Sequence, residues 1–185
     1  MLEQMRQLIS SAALLPPGSH VLCAVSGGAD SVCLLHALYH LRPILNFSLS
    51  AAHYDHGLRG EDSTRDAKFV EQFVSLCCGA QRLPDGRVLP PVQLYQAKGD
   101  VGKEAARTGA GIEETARILR YAFLRRAAQQ AGANLIATAH TADDNAETIL
   151  FHLSRGSGLR GLTGIAPRRD DLIRPLLTTT RREIE

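Results

Sequence analysis

The sequence predicts an α/β protein with a doubly wound, mostly parallel five-stranded sheet and helices on both faces of the sheet. Apolar runs of strand length alternate along the chain with helical segments of ten or more residues. Elements that alternate in this way form βαβ units, whose helices cover both faces of a parallel sheet. The chain has 185 residues, of which 44% are apolar and 22% charged, so it has room for one such core.

Each predicted element has a local reason. The run 20–25 is too short and too β-branched for a helix, whereas residues 30–41 have helical apolar spacing and stop before Pro43. Gly132 marks the end of the longest helix. The predicted strands occupy residues 20–25, 47–53, 92–96, 134–140 and 172–176. The predicted helices occupy residues 3–15, 30–41, 63–78, 111–131 and 142–155.

The chain divides into a short N-terminal helical unit, 1–19, and a larger domain, 20–185. Within the second unit, residues 98–111 contain four glycines and show no clear apolar period. This composition predicts a mobile loop at the edge where the strands end, either a lid over a site or a disordered segment. Thr180 and Glu183 have the spacing of a helix capping box, so a helix is expected to begin there. We therefore expect the front part of a longer protein.

Composition excludes several classes of protein. No run approaches the roughly 18 apolar residues of a membrane span, and the N-terminus does not resemble a signal peptide. We therefore expect no membrane partner and a cytoplasmic location. The four cysteines form no Cys-x-x-Cys pair, which disfavours zinc, iron–sulfur and dithiol redox sites. The sequence pI near 8.4 is mild for a dedicated nucleic-acid-binding domain.

The segment Ala24–Ser31 lies between the first strand and the next helix and has the composition of a phosphate-binding loop. Gly27 and Gly28 allow a tight turn and a close approach of the backbone to a ligand. Backbone N–H groups, serine hydroxyls and the helix N-terminus then favour phosphate oxygens. The simpler alternative is a strand-to-helix turn capped by an acid or a serine. The loop is neither a Walker loop nor a GxGxxG dinucleotide loop.

The string Ser-Gly-Gly-x-Asp-Ser resembles the PP-loop of the N-type ATP pyrophosphatases. Three further segments, in the same order and spacing, resemble the tRNA(Ile)-lysidine synthetases: AAHYDHGLRGEDSTRDAKFVEQF, GIEETARILRYAFL and TAHTADDNAETILFHLSRGSGLRGL. The likeness runs from about residue 20 to residue 182. It implies that 20–185 is a PP-loop ATP pyrophosphatase catalytic domain, cut short before C-terminal tRNA-binding domains. It implies an adenine nucleotide alpha hydrolase-like fold and an enzyme that splits ATP between its α and β phosphates.

The resemblance implies a ligase with ATP and Mg²⁺ as cofactors. Its partners would be free L-lysine and the tRNA(Ile) with a CAU anticodon, and a homodimer is compatible with the sequence. ATP would adenylate the oxygen on carbon 2 of the wobble cytidine with release of pyrophosphate. The amino group of lysine would then attack that carbon and displace AMP, which leaves lysidine.

Two other segments support this chemistry. HYDHGLR follows the second strand, where a nucleotide or substrate rim is favoured over a metal site. If a helix begins near Ala142, Asp144 and Glu147 share one of its faces while Asp143 caps its first turn. Neighbouring carboxylates are costly unless a cation joins them, and Mg²⁺ or the lysine ammonium would serve. The alternative is that these acids only compensate the helix dipole.

The residues and the resemblance together predict a set of site residues. The catalytic residues are Asp30, Arg120, His140, Asp144 and Glu147. The ATP-binding residues are Ser26, Gly27, Gly28, Ala29, Asp30, Ser31, His53 and Arg120, and the resemblance places Tyr54 near the nucleoside. The lysine- and tRNA-binding residues are Asp55, His56, Arg59, Arg117, Arg155 and Arg160. The candidate Mg²⁺ ligands are Asp30 and Asp144.

Two alternatives stay open. Within the fold, the chain would be another PP-loop tRNA-modifying enzyme, such as a tRNA 2-thiocytidine thiolase, but that chemistry would be expected to use Cys-x-x-Cys pairs. In a different class, it would be a non-catalytic module that binds ATP or tRNA. The presence of Ser26, Asp30, Asp144 and Glu147 together argues against that module.

Overall fold

A six-stranded, mostly parallel sheet forms the centre of the molecule. The computed structural model describes residues 1–58, 61–156 and 162–184. The strand order is β5–β2–β1–β6–β8–β7. Five strands run parallel: β1 (His20–Ala24), β2 (Ser48–Asp55), β5 (Gln93–Lys98), β6 (Leu135–Ala137) and β8 (Leu172–Ile173). The sixth, β7 (Arg168–Arg169), pairs antiparallel with β8 at the edge.

Helices cover both faces of this sheet, as predicted. They are α1 (Leu2–Ser11), α2 (Ala29–Leu45), α3 (Glu61–Cys77), α4 (Val101–Thr108), α5 (Ile112–Ala131), α6 (Ala142–Ser154) and α7 (Arg181–Ile184). Alternate residues of β1 point to opposite faces because the side-chain period of a strand is two. Val21 and Cys23 pack in one core with Met5 of α1, whereas Leu22 packs in a second core with Leu124 of α5.

The central sheet therefore has one strand more than the five that the sequence predicts. The five predicted strands all form, but β7 and a separate antiparallel pair, β3 (Gln81–Arg82) and β4 (Val88–Leu89), were not predicted. Each of these three strands has only two residues, which is too short to show an alternating pattern. The parallel α/β architecture does not depend on them.

The segment predicted as a mobile loop, 98–111, contains helix α4. Asp100 caps this helix, because its side chain accepts a hydrogen bond from the Lys103 N–H over 2.9 Å. Val101 and Ala105, one turn apart, are buried. Two buried positions suffice to hold the helix but are too few to produce an apolar period, and Gly109 ends it at φ +72°.

Helix α2 continues through Pro43 to Leu45, so the prediction that it ends at Leu41 is wrong. Arg42 explains the extension. Its buried guanidinium donates to the side chain of Gln81 and to the carbonyls of Pro90 and Gly79. These tertiary bonds outweigh the local cost of proline in the last turn.

No helix in the described ranges is long and apolar enough to span a bilayer.

Val101→Ala should lower the free energy of unfolding by about 2 kcal/mol, because two buried methyl groups are lost and a small cavity remains. Urea denaturation of the purified chain measures the change. Lys103→Ala, on an exposed side chain of the same helix turn, is the matched control and should change stability little. Equal stability of the two variants would contradict the buried packing of α4.

Candidate nucleotide-binding site

A cavity of about 750 Å³ opens at the carboxyl ends of β1, β2 and β6. Strand β1 lies between the other two, so the chain leaves β1 toward one neighbour and reaches the second only later. Crevices at such a switch in strand order are where parallel α/β sheets bind ligands. The strands thus bring the segments after residues 24, 55 and 137 around a single space.

The loop after β1 is held in shape by its own hydroxyl groups. The Ser31 hydroxyl donates to the Gly28 carbonyl over 2.8 Å and accepts from the Ser26 N–H over 3.0 Å. The hydroxyls of Ser26 and Ser31 lie 3.1 Å apart. Helix α2 begins directly after Gly28, which itself has extended backbone angles and no side-chain cap. The helix N-terminus therefore opens beside a preformed turn, as an anion site requires.

Gly27 is required by both its backbone and its neighbour. Its φ of +96° is a conformation that residues with a side chain rarely adopt. A Cβ at this position would also stand 3.3 Å from the Cβ of Asp66 on α3. Asp66 lines the cavity and was not predicted as a site residue. Asp66 follows Ser63 with the Ser-x-x-Asp spacing of a helix cap. This pattern indicates a structural role and does not indicate a position beside the loop.

The end of β2 contributes His53, Asp55 and His56 to the cavity wall. His53 is only 3% exposed, its Nδ1 lies 2.8 Å from the Val25 carbonyl, and its Nε2 has no partner among the described residues. Asp55 accepts the Gly57 N–H over 2.8 Å and lies 3.7 Å from the Lys98 ammonium. Burial, reinforced by the Arg120 charge, lowers the pKa of His56.

Helix α5 supplies the cationic wall. Arg120, Tyr121 and Leu124 line the cavity. The guanidinium groups of Arg117 and Arg120 lie 5.2 and 5.6 Å from the centre of the Tyr121 ring, within the range of a cation–π contact. Glu113 and Arg117 have the i,i+4 spacing of a helical ion pair, but among the described residues no such pair joins them. Arg117 is not part of the cavity lining, although it shares the Tyr121 ring with Arg120.

His140 follows β6 and also lines the cavity. Its Nδ1 lies 3.0 Å from the Thr138 hydroxyl. Burial lowers the pKa of His140, and the positive charge of Arg174 lowers it further against the opposing effect of Asp144. The imidazole is therefore neutral at pH 7 and keeps a lone pair for a ligand or a proton.

The start of α6 differs from the prediction that Asp143 caps its first turn. Thr141 is the N-cap, and it forms a capping box with Asp144. Asp144 Oδ2 accepts from the Thr141 N–H over 2.8 Å and from the Thr141 hydroxyl over 3.0 Å. Asp143 instead accepts the Arg181 N–H over 2.8 Å. A threonine before the helix and an acid three residues later satisfy two backbone N–H donors at once. Thr141 and Asp144 therefore form the cap in place of Asp143.

Arg181 joins the carboxylates that the sequence predicted to need a cation. Its guanidinium contacts Asp144 Oδ1 closely and lies 3.1 Å from Glu147 Oε1 and 4.0 Å from Asp30 Oδ2. Burial alone would raise the pKa of Asp144, but the hydrogen bonds from Thr141 and the Arg181 charge hold it below its usual range. Arg181 was not predicted as a site residue. The cluster of acids in α6, with no cation assigned to it from the protein, was the signal that such a residue was needed.

The carboxylates do not form a metal centre as they stand. In the ranges that the structure describes, no group of three or more His, Cys, Asp or Glu side chains is arranged to hold a metal ion. Both oxygens of Asp144 already accept hydrogen bonds, and the Arg181 guanidinium lies against Asp144 and 4.0 Å from Asp30. The arrangement does not fit Mg²⁺ held by Asp30 and Asp144 unless Arg181 moves.

Of the predicted residues, the following line the cavity: Ser26, Gly27, Gly28, Ser31, His53, Tyr54, Asp55, His56, Arg120, His140 and Asp144. Ala29 and Asp30 lie in the first turn of α2, outside the lining, and Glu147, also outside it, contacts Arg181. Arg155 lies at the far end of α6, with its guanidinium 4.0 Å from the centre of the Phe151 ring. Arg59 and Arg160 lie outside the described residues.

The sheet order and the loop at the end of β1 define the chain as a nucleotide-binding α/β protein of the doubly wound type. The profile of the PP-loop domain family matches residues 1–185, and the chain belongs to this family.

Curated relatives narrow the comparison. The chain is 40% identical to a tRNA(Ile)-lysidine synthase of Dehalococcoides mccartyi over 192 residues, which cover 99% of this chain and 38% of the relative. It is 42% identical to a tRNA(Ile)-lysidine synthase of Symbiobacterium thermophilum over 188 residues, which cover 100% of this chain and 36% of the relative. The chain thus spans less than two fifths of the length of these relatives.

A solved structure supports the fold. The U34-tRNA thiolase of Methanococcus maripaludis, determined with its [4Fe-4S] cluster, superposes with a TM-score of 0.67 at 18% identity. The match covers 98% of this chain and 61% of that protein. At this identity the likeness establishes the shared architecture.

Asp144→Asn should reduce stability by about 1–2 kcal/mol at neutral pH, because a charged capping acid is lost. The depressed pKa of Asp144 means that its contribution is present above the ordinary carboxyl pKa of about 3.9 and is lost as the pH falls through the folded-state pKa. The gap between wild type and variant should therefore close below about pH 4. Urea titrations at pH 3 to 7 measure it.

Glu71→Gln on the exposed surface of α3 is the control, and its difference from the wild type should stay small throughout. A gap for Asp144→Asn that does not change with pH would contradict the stabilised charge.

Proposed function

We propose that the chain is the ATP-using catalytic domain of a tRNA(Ile)-lysidine synthase. The observation that carries the proposal is the preformed Ser26–Ser31 loop, which faces a cavity lined by His53, Arg120 and His140. The identity of 35–42% to lysidine synthases over nearly the whole chain supports the same reaction. Since those relatives are much longer, the complete activity belongs to the proposal.

ATP, supplied as its magnesium complex, places its β and γ phosphates on the loop N–H groups and the N-terminus of α2. Fixed donors of this kind stabilise charge that builds on a leaving group. Arg120, on the facing wall, approaches the phosphates from the other side. The oxygen on carbon 2 of the cytosine attacks the α phosphorus, and the bond to the bridging oxygen breaks, so pyrophosphate leaves with both bonding electrons.

The second step joins the amine to carbon 2 of the adenylated base. The lysine nitrogen donates its electron pair to that carbon, the carbon–oxygen bond breaks and AMP leaves. The amine loses protons in the process, and a base near it promotes the attack. Asp144 is a poor base because its pKa is depressed and both of its oxygens are engaged. Glu147, which uses one oxygen on Arg181, is the better acceptor.

The tRNA approaches over the arginines of α5 and α6. Arg117 and Arg155 are placed on aromatic rings at the surface and suit phosphate contacts that position the substrate. Asp55 and His56 are proposed to meet free lysine or the flipped cytidine. The Lys98 ammonium already lies near Asp55, so this carboxylate accepts a primary amine as a neighbour.

The thiolase alternative is less well supported. All four cysteines lie in the described ranges, and none of them lines the cavity. A thiol-based sulfur transfer would need a cysteine at the reacting base.

The reaction is tested by measuring pyrophosphate release from ATP by the chain in the presence of tRNA(Ile) and lysine. We expect release to require the tRNA, and AMP to form only when lysine is added. Arg120→Met should reduce the rate about 100-fold or more, since a charge on the phosphates is lost. Arg125→Met, an exposed arginine on the same helix, is the control. Release that does not respond to tRNA(Ile) would contradict the proposal.

His53 should select adenine. Its Nδ1 carries the proton because the Val25 carbonyl can only accept, so Nε2 is an acceptor in the neutral ring. An acceptor suits the amino group of adenine and not the carbonyl of guanine. We expect His53→Phe to weaken ATP binding about 5- to 30-fold and GTP binding little, the cost of one lost hydrogen bond.

Calorimetric titration of each nucleotide measures these affinities. His20→Phe at the opposite end of the strands, where His20 bonds to Ser50, is the control. An unchanged ratio of ATP to GTP affinity in His53→Phe would rule out this role of His53.

A further inference from the structure

Three carboxylates from two helices converge on one guanidinium at the mouth of the phosphate loop. Asp30 belongs to the first turn of α2, and Asp144 and Glu147 belong to α6. Arg181 contacts all three through different nitrogens: Nε faces Asp30, one terminal nitrogen meets Asp144 and the other meets Glu147. The single positive charge of Arg181 thus lies close to three negative charges.

The backbone around Arg181 is fastened to the start of α6. The Ala142 N–H donates to the Thr179 carbonyl over 2.9 Å, and the Arg181 N–H donates to Asp143 over 2.8 Å. The Thr180 N–H and hydroxyl both donate to the Glu183 carboxylate over 2.8 Å, which is the glutamate half of the predicted capping box, while the Glu183 N–H donates to the Thr180 carbonyl. The backbone that carries the Arg181 guanidinium is therefore fixed beside the acids.

The position of Arg181 matters because the neighbouring loop is built for a polyanion. Asp30 follows Ser26–Ala29 directly, and Asp144 lines the same cavity as the loop. Without a cation among them, the three carboxylates would repel the phosphates at close range. The sequence predicted that Mg²⁺ or a substrate ammonium would join these acids, whereas Arg181 is in contact with them.

We propose that Arg181 is a positioning residue of the ATP site: it offsets part of the negative charge of Asp30, Asp144 and Glu147 and so lets the polyphosphate bind beside them. The inference rests on the proposed use of ATP. Arg181 acts through the carboxylates and not by touching the nucleotide.

The test is the affinity of the purified chain for ATP, measured by calorimetry without divalent metal at low and high salt. Arg181→Met should weaken binding about three- to tenfold at low salt, as expected for one charge removed near a polyanion. Because 44% of the Arg181 side chain is exposed, added salt should screen the effect and narrow the difference from wild type. Arg181→Lys, which keeps the charge, should bind nearly as well as wild type.

Arg182→Met is the matched control, because Arg182 is the next residue and is exposed. It should bind ATP as the wild type does. Thermal unfolding of each variant shows that the fold is retained.

The outcomes are distinct. Failure of the wild-type chain to bind ATP would refute the proposed function itself. If the wild type binds and Arg181→Met binds equally or more tightly, Arg181 does not assist the phosphates and the inference is wrong. A loss in Arg181→Met that is independent of salt and not restored by lysine would indicate a purely structural role, which also overturns the inference.

Discussion

The parallel pairing of β1 with strands on both of its sides is the constraint on which the site depends. Residues 21–23 of β1 pair with β2 on one side and with β6 on the other. Because all three strands run the same way, their carboxyl ends reach the same edge. The phosphate loop, the histidines after β2 and the capped helix after β6 therefore surround one cavity, although they are far apart in the chain.

Charge balance at this edge follows from the same arrangement. Arg120 and Arg174 add positive potential beside His56 and His140, and with burial they lower the pKa of both imidazoles. On the α6 side, Arg181 offsets part of the charge of the carboxylates. The N–H groups of the loop and the Arg120 guanidinium are then the donors that face a ligand in the cavity, which suits an anion.

The sequence predicted the parts of the site whose partners are close in the chain. The loop is stabilised by contacts between Ser26, Gly28 and Ser31, all within six residues, so the local string is informative. Helix α5 and its terminal Gly132 were likewise predicted, because apolar spacing and the left-handed glycine are local signals. Helix α4 was missed because its stability comes from burial of Val101 against the rest of the fold.

The contact between Arg181 and Asp144 shows why the remainder was beyond sequence reasoning. The two residues meet only because the chain passes along β8 at the far side of β6 and returns at Thr179 to the start of α6. No residue pattern records that path. The pattern does indicate that Asp144 and Glu147, one helical turn apart, need a cation beside them. A local sequence can thus state which charge is missing, while the tertiary fold decides which group supplies it.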